Sequence, residues 1–511
     1  MLVVGLTCVA THAKEVYTNG VGGGAWDEPM TWRGESLPTA QDTVVIRRDD
    51  RVVFEGVERD GPLCAKLVLD PDSVLRIKPT TDRPKAQLTF DGPIDCYGTI
   101  QADLAQHPDT SVAIKLMAKE SERRRLTLRD GGALLLYGSE DLLENRRNIV
   151  VTTAEDAAND ETLTATLDAR EGAKIDVRWA QFENVSFNAE DIDNTGYSVG
   201  EGLTIAHNRF VGRSRLMLIS CDTATVLGNE FHASVEGVLG RAIDLRASPL
   251  ASFRDNHVHG SYSTGIQVLV SDDFHLAGNT IEGLRAGVSL NRSSGSVERL
   301  ELKNCEYGLR IDNDATVTLE NSTIIGSKQP VEVSGATVQL TSVEAQSTDE
   351  SMPLLTLTDS SATLLNCPFK PEDINVESPP KDLSHPVVRA FAYLIVKVAG
   401  KPDRTMRLDV RTKDAASDRV DLNVRHAPSS LRLDGLSPLP HTRKALEVLS
   451  WTMAADGTVT SPPTYTLSVF TPPTSPEGAR EVHGARQVTP DESWYRKEPD
   501  ATHPTVEVSI P

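Results

Sequence analysis

Ile243-Asp244-Leu245, Ile266-Gln267-Val268, Val288-Ser289-Leu290, Leu309-Arg310-Ile311 and Val331-Glu332-Val333 repeat one apolar, polar, apolar pattern. Their first residues stand 23, 22, 21 and 22 positions apart, a period that the separate strands of a sandwich have no reason to keep. Alternation with period two makes each segment a strand with its outer residues turned inward and its middle residue outward. Gly265, Gly287 and Gly308 precede three of them, as expected where the chain turns a tight corner.

A second landmark keeps the same frame. Asn208 precedes Phe210 by two positions, and Asn229 with Phe231, Asn256 with Val258 and Asn279 with Ile281 do the same; Asn321 and Thr323 echo the step. Asn tolerates left-handed backbone and carries both an amide donor and an acceptor, so stacked copies at one corner can satisfy one another coil after coil. Successive coils one strand spacing of about 4.8 Å apart make a parallel β-helix. A leucine-rich repeat would bring a leucine-heavy consensus and a helical return, and a propeller about twice the period.

Upstream, between residues 60 and 185, looser strand pairs around Leu67, Leu75, Leu126, Leu134, Leu167 and Ile175 read as irregular coils, with excursions such as 139–162 leaving the stack. The charged segment 119–125, with Arg123, Arg124 and Arg125, reads as a solvated loop. Downstream, Pro368, Pro371, Pro379, Pro380 and Pro386 punctuate a polar stretch. Beyond it Met406, Leu408 and Val410, then Val420, Leu422 and Val424, then Tyr465, Leu467 and Val469 alternate with polar residues, the pattern of a small antiparallel sandwich. The expected fold is all-β, a right-handed parallel β-helix solenoid with an N-terminal β cap and a C-terminal antiparallel β-sandwich. Its expected divisions are a signal peptide at 1–13, a cap at 14–110, the solenoid at 111–368, a linker at 369–386, the sandwich at 387–470 and a poorly ordered tail at 471–511.

With 73 acidic against 52 basic residues the chain carries a net charge of −21, so nucleic acid is a poor partner. The acidity is spread along the chain; a solvated surface accounts for it and leaves room for cations or neutral glycans. Leu2 to Ala10 form an apolar run ending in Thr11-His12-Ala13, which reads as a secretory signal cleaved after Ala13 although no Lys or Arg precedes it. A secreted, extracellular or periplasmic location follows, and no later run is long enough to span a bilayer. Cys8 leaves with the signal; Cys64 and Cys96 can pair, while Cys221, Cys305 and Cys367 read as small buried thiols within repeats.

Residues 22 to about 103 resemble the eight-glycine domain of fibrocystin and cell-surface hyaluronidases, through Gly23-Gly24-Ala25-Trp26-Asp27, Thr31-Trp32, Pro38, Asp42 and Val44-Val45-Ile46. The resemblance implies an N-terminal β unit leading into a right-handed helix in an extracellular, glycan-linked protein, and transfers no catalytic residue. Trp26 and Trp32 are read as a plug for the open end of the helix rather than a sugar platform. The repeat region resembles the broad family of pectate lyases, polygalacturonases and periplasmic copper-maturation proteins, a likeness of fold rather than function.

One constellation of chemistry-bearing side chains stands out. Asp272 and Asp273 follow the His257-Val258-His259-Gly260 step instead of preceding it, the reverse of the polygalacturonase order, and read as a loop. No calcium loop, zinc spacing or nucleophile triad appears. Aligning the coils on their Asn places Arg209, Glu230 and His257 in one lateral row and Val211, His232, His259 and Glu282 in another. His232, His259 and Glu282 are thus the catalytic candidates, and Glu230, His257, Arg241 and Arg254 the binding candidates. No cofactor is identified, although imidazoles beside carboxylates can hold a divalent cation. The plainer account is polar residues facing water, with the arginines paired to local carboxylates. The expected function is a non-catalytic protein that binds polysaccharide or builds a cell surface; the alternative is a lyase or hydrolase acting on an acidic glycan.

Overall fold

The computed structural model describes residues 13–56, 61–117, 124–141, 146–153, 164–192, 202–234, 239–378, 386–399, 407–412, 424–425, 431–432, 446–460, 464–471, 481–490 and 505–509. The expected signal peptide lies outside them except for Ala13, as do Met406 and residues 413–423. The chain forms two compact units, Met1–Ser289 and Leu290–Pro511.

In the first unit every coil visits up to three parallel sheets. Sheet I runs from Glu15–Tyr17 through Thr43–Ile46, Lys66–Leu69 and Ile94–Cys96 to Leu239–Arg246 and Tyr262–Leu269. Sheet II runs from Gly23–Ala25 to Phe274–Ala277, and sheet III from Lys85–Phe90 to Thr280–Glu282. The repeat register is the one the period implies: Ile243 lies beside Ile266 and Leu245 beside Val268. In the second unit Leu309 likewise lies beside Val331 and Ile311 beside Val333. The inward residues of these strands are buried, and Phe182, Phe210 and Phe231 stack through the core at centroid separations of 4.9 and 4.5 Å. Such rings bury large apolar areas and place one aromatic on the next at the strand spacing.

The polar landmark is an interior ladder. Asn208, Asn229, Asn256 and Asn279 are buried, and each amide nitrogen donates to a carbonyl of the preceding coil, on Val177, Ile205, Val226 and Phe253, at 2.9 to 3.1 Å. Asn208, Asn229 and Asn256 also donate side chain to side chain, each to the next Asn Oδ1, at 3.1, 3.0 and 2.9 Å. Each of these Oδ1 atoms also accepts the backbone N–H of the Asn one coil earlier. Buried polar groups at the corner are thereby satisfied, which burial in an apolar core requires. Asn321 does not take this role: it is exposed at φ 49°, and the neighbouring Ser322 accepts the amide of Leu300 at 3.0 Å. A second ladder runs at another corner, where the Cys221 amide donates to Ser248 Oγ at 2.9 Å and the Ser248 amide to Ser271 Oγ at 3.1 Å.

Several expectations are corrected. Pairing in sheets I and II continues through residues 94–128 and 99–137, so the coils already include the stretch 14–110 and no boundary falls at 111. Within the proline-punctuated stretch, Ile374–Ser378 is a strand paired with Leu355–Thr358. Beyond Thr471, Glu481–Val488 pairs with Tyr465–Thr471 and Thr505–Ser509 with Val388–Ala399, so the described parts of the expected tail include paired strands. Cys64 and Cys96 are free, buried thiols pushed up to about 12 by burial, with no bridge between them. Arg124 is buried rather than solvated, and Arg125 pairs with Asp168 at 2.9 Å. Gly265 makes no left-handed turn; an added Cβ would lie 2.7 Å from both the Gly287 carbonyl and Ile281, so close approach between coils excludes a side chain.

At the N-terminal end, Trp26 and Trp32 are buried edge to face at 5.0 Å, and Trp32 Nε1 donates to the Trp26 carbonyl at 2.9 Å. Gly23 is at φ 86°, where an added Cβ would fall 2.1 Å from the Arg51 carbonyl. The buried Asp50 carboxylate accepts the amides of Gly20 and Gly22 at 3.0 and 2.8 Å and pins this turn. In the second unit Val388–Ala399 continues the parallel pairing from Ser361–Leu365 and also pairs antiparallel with Leu446–Met453. A separate antiparallel sheet holds Arg407–Thr412, Leu431–Arg432, Tyr465–Thr471 and Glu481–Val488, and Tyr465 Oη donates across to the Leu449 carbonyl at 3.0 Å.

Candidate functional site

The outward face of sheet III brings the candidate residues together. Phe210, Phe231, Val258 and Ile281 turn into the core, so their chain neighbours turn out. Parallel pairing then places Arg209, Glu230, His257 and Thr280 in one row, and Val211, His232, His259 and Glu282 in the next.

Within this patch the groups engage one another. Arg209 Nε donates to Glu230 Oε2 at 2.8 Å, while Glu230 Oε1 lies 3.4 Å from His259 Nε2. His259 Nδ1 stands 2.9 Å from His232 Nδ1, so both ring nitrogens of His259 are occupied. The His257 ring stacks on His259 at 4.6 Å. Burial alone would raise the Glu230 carboxyl; the Arg209 charge and the hydrogen bonds from Arg209 and His259 outweigh it and hold the group below the usual range. Burial, reinforced by His232 and His257, lowers the His259 imidazole against the opposing pull of Glu230, so the neutral ring is favoured. His257 and Glu282 are exposed.

Arg241 and Arg254 do not join this face. Arg241 lies on sheet I and pairs with Asp244 at 2.9 Å, sharing that carboxylate with Arg246 at 2.6 Å. Arg254 ends a sheet II strand, across the corner formed by Asp255 and Asn256. Asp272 and Asp273 sit exposed in the connection between sheets I and II, as the sequence implied. Among the described residues no three His, Cys, Asp or Glu side chains already converge as a metal cage.

A second polar strip was missed by reading the sequence. On the outer face of sheet I, Asp95, Thr127, Asp168, Asn188, Met217, Asp244 and Gln267 follow one another coil by coil. Lys66 and Arg129 hold Asp95 at 2.8 and 3.2 Å, and these contacts outweigh its burial to keep the carboxyl low. Asn188 Nδ2 donates to Asp168 Oδ1 at 3.0 Å, and Arg170 pairs with Glu190. The signal was present in the middle residues Asp244 and Gln267 of the repeat, but the irregular spacing of the earlier coils hid its extension. Sequence reading also missed Trp179, whose ring has the Arg147 guanidinium 4.8 Å from its centroid and the His207 ring stacked on it at 4.5 Å.

Parallel coils with a buried polar ladder and charged outer strips define this chain as a β-helix solenoid. A family model described as a right-handed β-helix region matches residues 191–347, which gives the helix its hand. The match begins beyond the N-terminal stretch on which the eight-glycine resemblance rests. No curated protein matches the chain.

Proposed function

We propose that the protein is a secreted, non-catalytic β-helix protein that binds polysaccharide or contributes to a cell surface. The carrying observation is that the charged groups of both outer strips are engaged with one another. Glu230 is held by Arg209 and His259, Asp95 by Lys66 and Arg129, and Asp244 by Arg241 and Arg246. A glycosidase acid needs a carboxyl raised toward neutrality and a second carboxylate at a set separation; Glu230 is shifted the other way. Rows of polar side chains spaced by one strand suit an extended, repetitive ligand contacted at many weak points. In this reading the Trp26 and Trp32 turn closes the first coil, and the antiparallel strands after Val388 form the sandwich that serves as attachment module.

The alternative is a polysaccharide lyase or hydrolase acting on an acidic glycan. It draws on His232, His259 and Glu282, of which Glu282 is exposed and the two imidazoles half-buried. Affinity electrophoresis of the full chain against neutral and uronate polysaccharides, run beside reducing-end and unsaturated-uronate assays, separates the two. Retardation without product supports binding; sustained product formation that is lost on His259→Ala overturns the non-catalytic reading.

A further inference from the structure

The pair His232 and His259 has a geometry that water-facing polar residues do not need. Their Nδ1 atoms face each other at 2.9 Å across neighbouring strands. Two imidazole nitrogens bound to one metal at about 2.0–2.1 Å stand about 2.9 Å apart at a right angle and about 3.3 Å apart in a tetrahedron. The observed separation falls at the near end of that span, and the backbone register fixes it by placing His232 directly beside His259.

The surroundings are also those of a ligating imidazole. A metal-bound His characteristically gives its other ring N–H to a carboxylate, which fixes the tautomer and the ring plane. His259 has Glu230 at its Nε2, and Glu230 is itself held by Arg209. With the proton on Nε2, the His259 Nδ1 lone pair points at His232. Glu282 follows His259 in the same row, one strand further on and exposed, so this side of the pair is open to solvent.

We propose that His232 and His259 form a solvent-open two-nitrogen chelate for an imidazole-preferring divalent transition-metal ion, bound through both Nδ1 atoms, with solvent completing the coordination and Glu230 orienting His259. On binding, the proton shared between the two Nδ1 atoms moves through solvent to the other nitrogen of His232, so the ion takes two neutral rings. The order of affinity follows imidazole chemistry, Cu2+ above Ni2+ and Zn2+. The site is independent of the glycan reading and holds whether the protein binds or cleaves polysaccharide.

The test is calorimetric titration of the full chain with CuCl2, NiCl2 and ZnCl2 in a non-coordinating buffer, with electron paramagnetic resonance of the Cu2+ form. The expected result is one tight ion per chain with a two-nitrogen signature. That ion is lost in His232→Ala and His259→Ala and retained in His107→Ala, which removes an exposed imidazole elsewhere. Glu230→Gln keeps both ligands and weakens binding about 10- to 100-fold. His232→Gln, closer in size, guards against a folding defect, with circular dichroism as the check. Absence of a tight ion in the wild type, or equal binding by a His232→Ala/His259→Ala double variant, overturns the site. An unchanged affinity in Glu230→Gln overturns the orienting role.

Discussion

Asn229→Ala removes the middle rung of the interior ladder, and its cost can be worked from the bonds it breaks. Asn229 Oδ1 accepts both the backbone N–H and the side-chain amide of Asn208, at 2.9 and 3.1 Å. Its Nδ2 donates to the Ile205 carbonyl and to Asn256 Oδ1, at 2.9 and 3.0 Å. Asn256 Oδ1 keeps the Asn229 backbone amide and Asn208 Nδ2 keeps the Val177 carbonyl, so the main loss is two buried N–H groups of Asn208 left without an acceptor. At about 1–3 kcal/mol for each orphaned group, the variant is destabilised by roughly 2–6 kcal/mol. The comparison is Asn321→Ala, on an exposed residue at φ 49°, where only left-handed strain of about 1–2 kcal/mol is at stake. Because the stability of a solenoid is a sum of local terms, amide hydrogen exchange over residues 203–260 reads the effect alongside the urea midpoint. Asn229→Asp adds a signature in pH. A carboxylate buried against the Ile205 carbonyl and Asn256 Oδ1 is favoured protonated, so its folded pKa lies above the unfolded value. The variant is therefore closest to wild type in acid and loses stability as pH rises. Equal exchange and equal midpoints for Asn229→Ala and Asn321→Ala would refute the reasoning.

Further outcomes follow from the same structure. Gly265→Ala, with its Cβ 2.7 Å from the Gly287 carbonyl and Ile281, is expected to cost about 1–3 kcal/mol in urea unfolding. Gly283→Ala, at φ 71° in open space, carries only the strain of the left-handed backbone. Trp32→Ala removes a buried ring and its hydrogen bond to Trp26 and is expected to lower stability by about 3–5 kcal/mol, read by tryptophan fluorescence during unfolding. Glu230 and His259 both have folded pKa values below their ordinary ones. Their contributions are complete above the unfolded values and are lost as pH falls through the folded ones. The urea midpoint between about pH 7 and pH 3 should therefore fall less steeply in Glu230→Gln than in wild type. The thiols Cys64, Cys96 and Cys367, buried and pushed up to about 12, should react with a thiol reagent only after denaturation.

The sequence by itself determined the coil. A triplet recurring near every twenty-second residue sets which side chains turn inward, and an Asn in the same frame sets the register. From these alone Glu230, His232, His257, His259 and Glu282 were assigned to one face, where the strand pairing places them. The tertiary structure decided what depends on contacts between coils that no local pattern encodes. The stacking of the earlier coils was obscured because their connections vary in length, so Asp95, Asp168 and Asp244 could not be aligned by counting. Asn321 carries the right residue one position out of place, and only the backbone shows Ser322 in the buried role. The partner of Arg125, the spacing that makes Gly265 obligatory and the facing of His232 on His259 all depend on groups separated by a full turn of chain. Period fixes direction, whereas distance across the stack fixes chemistry.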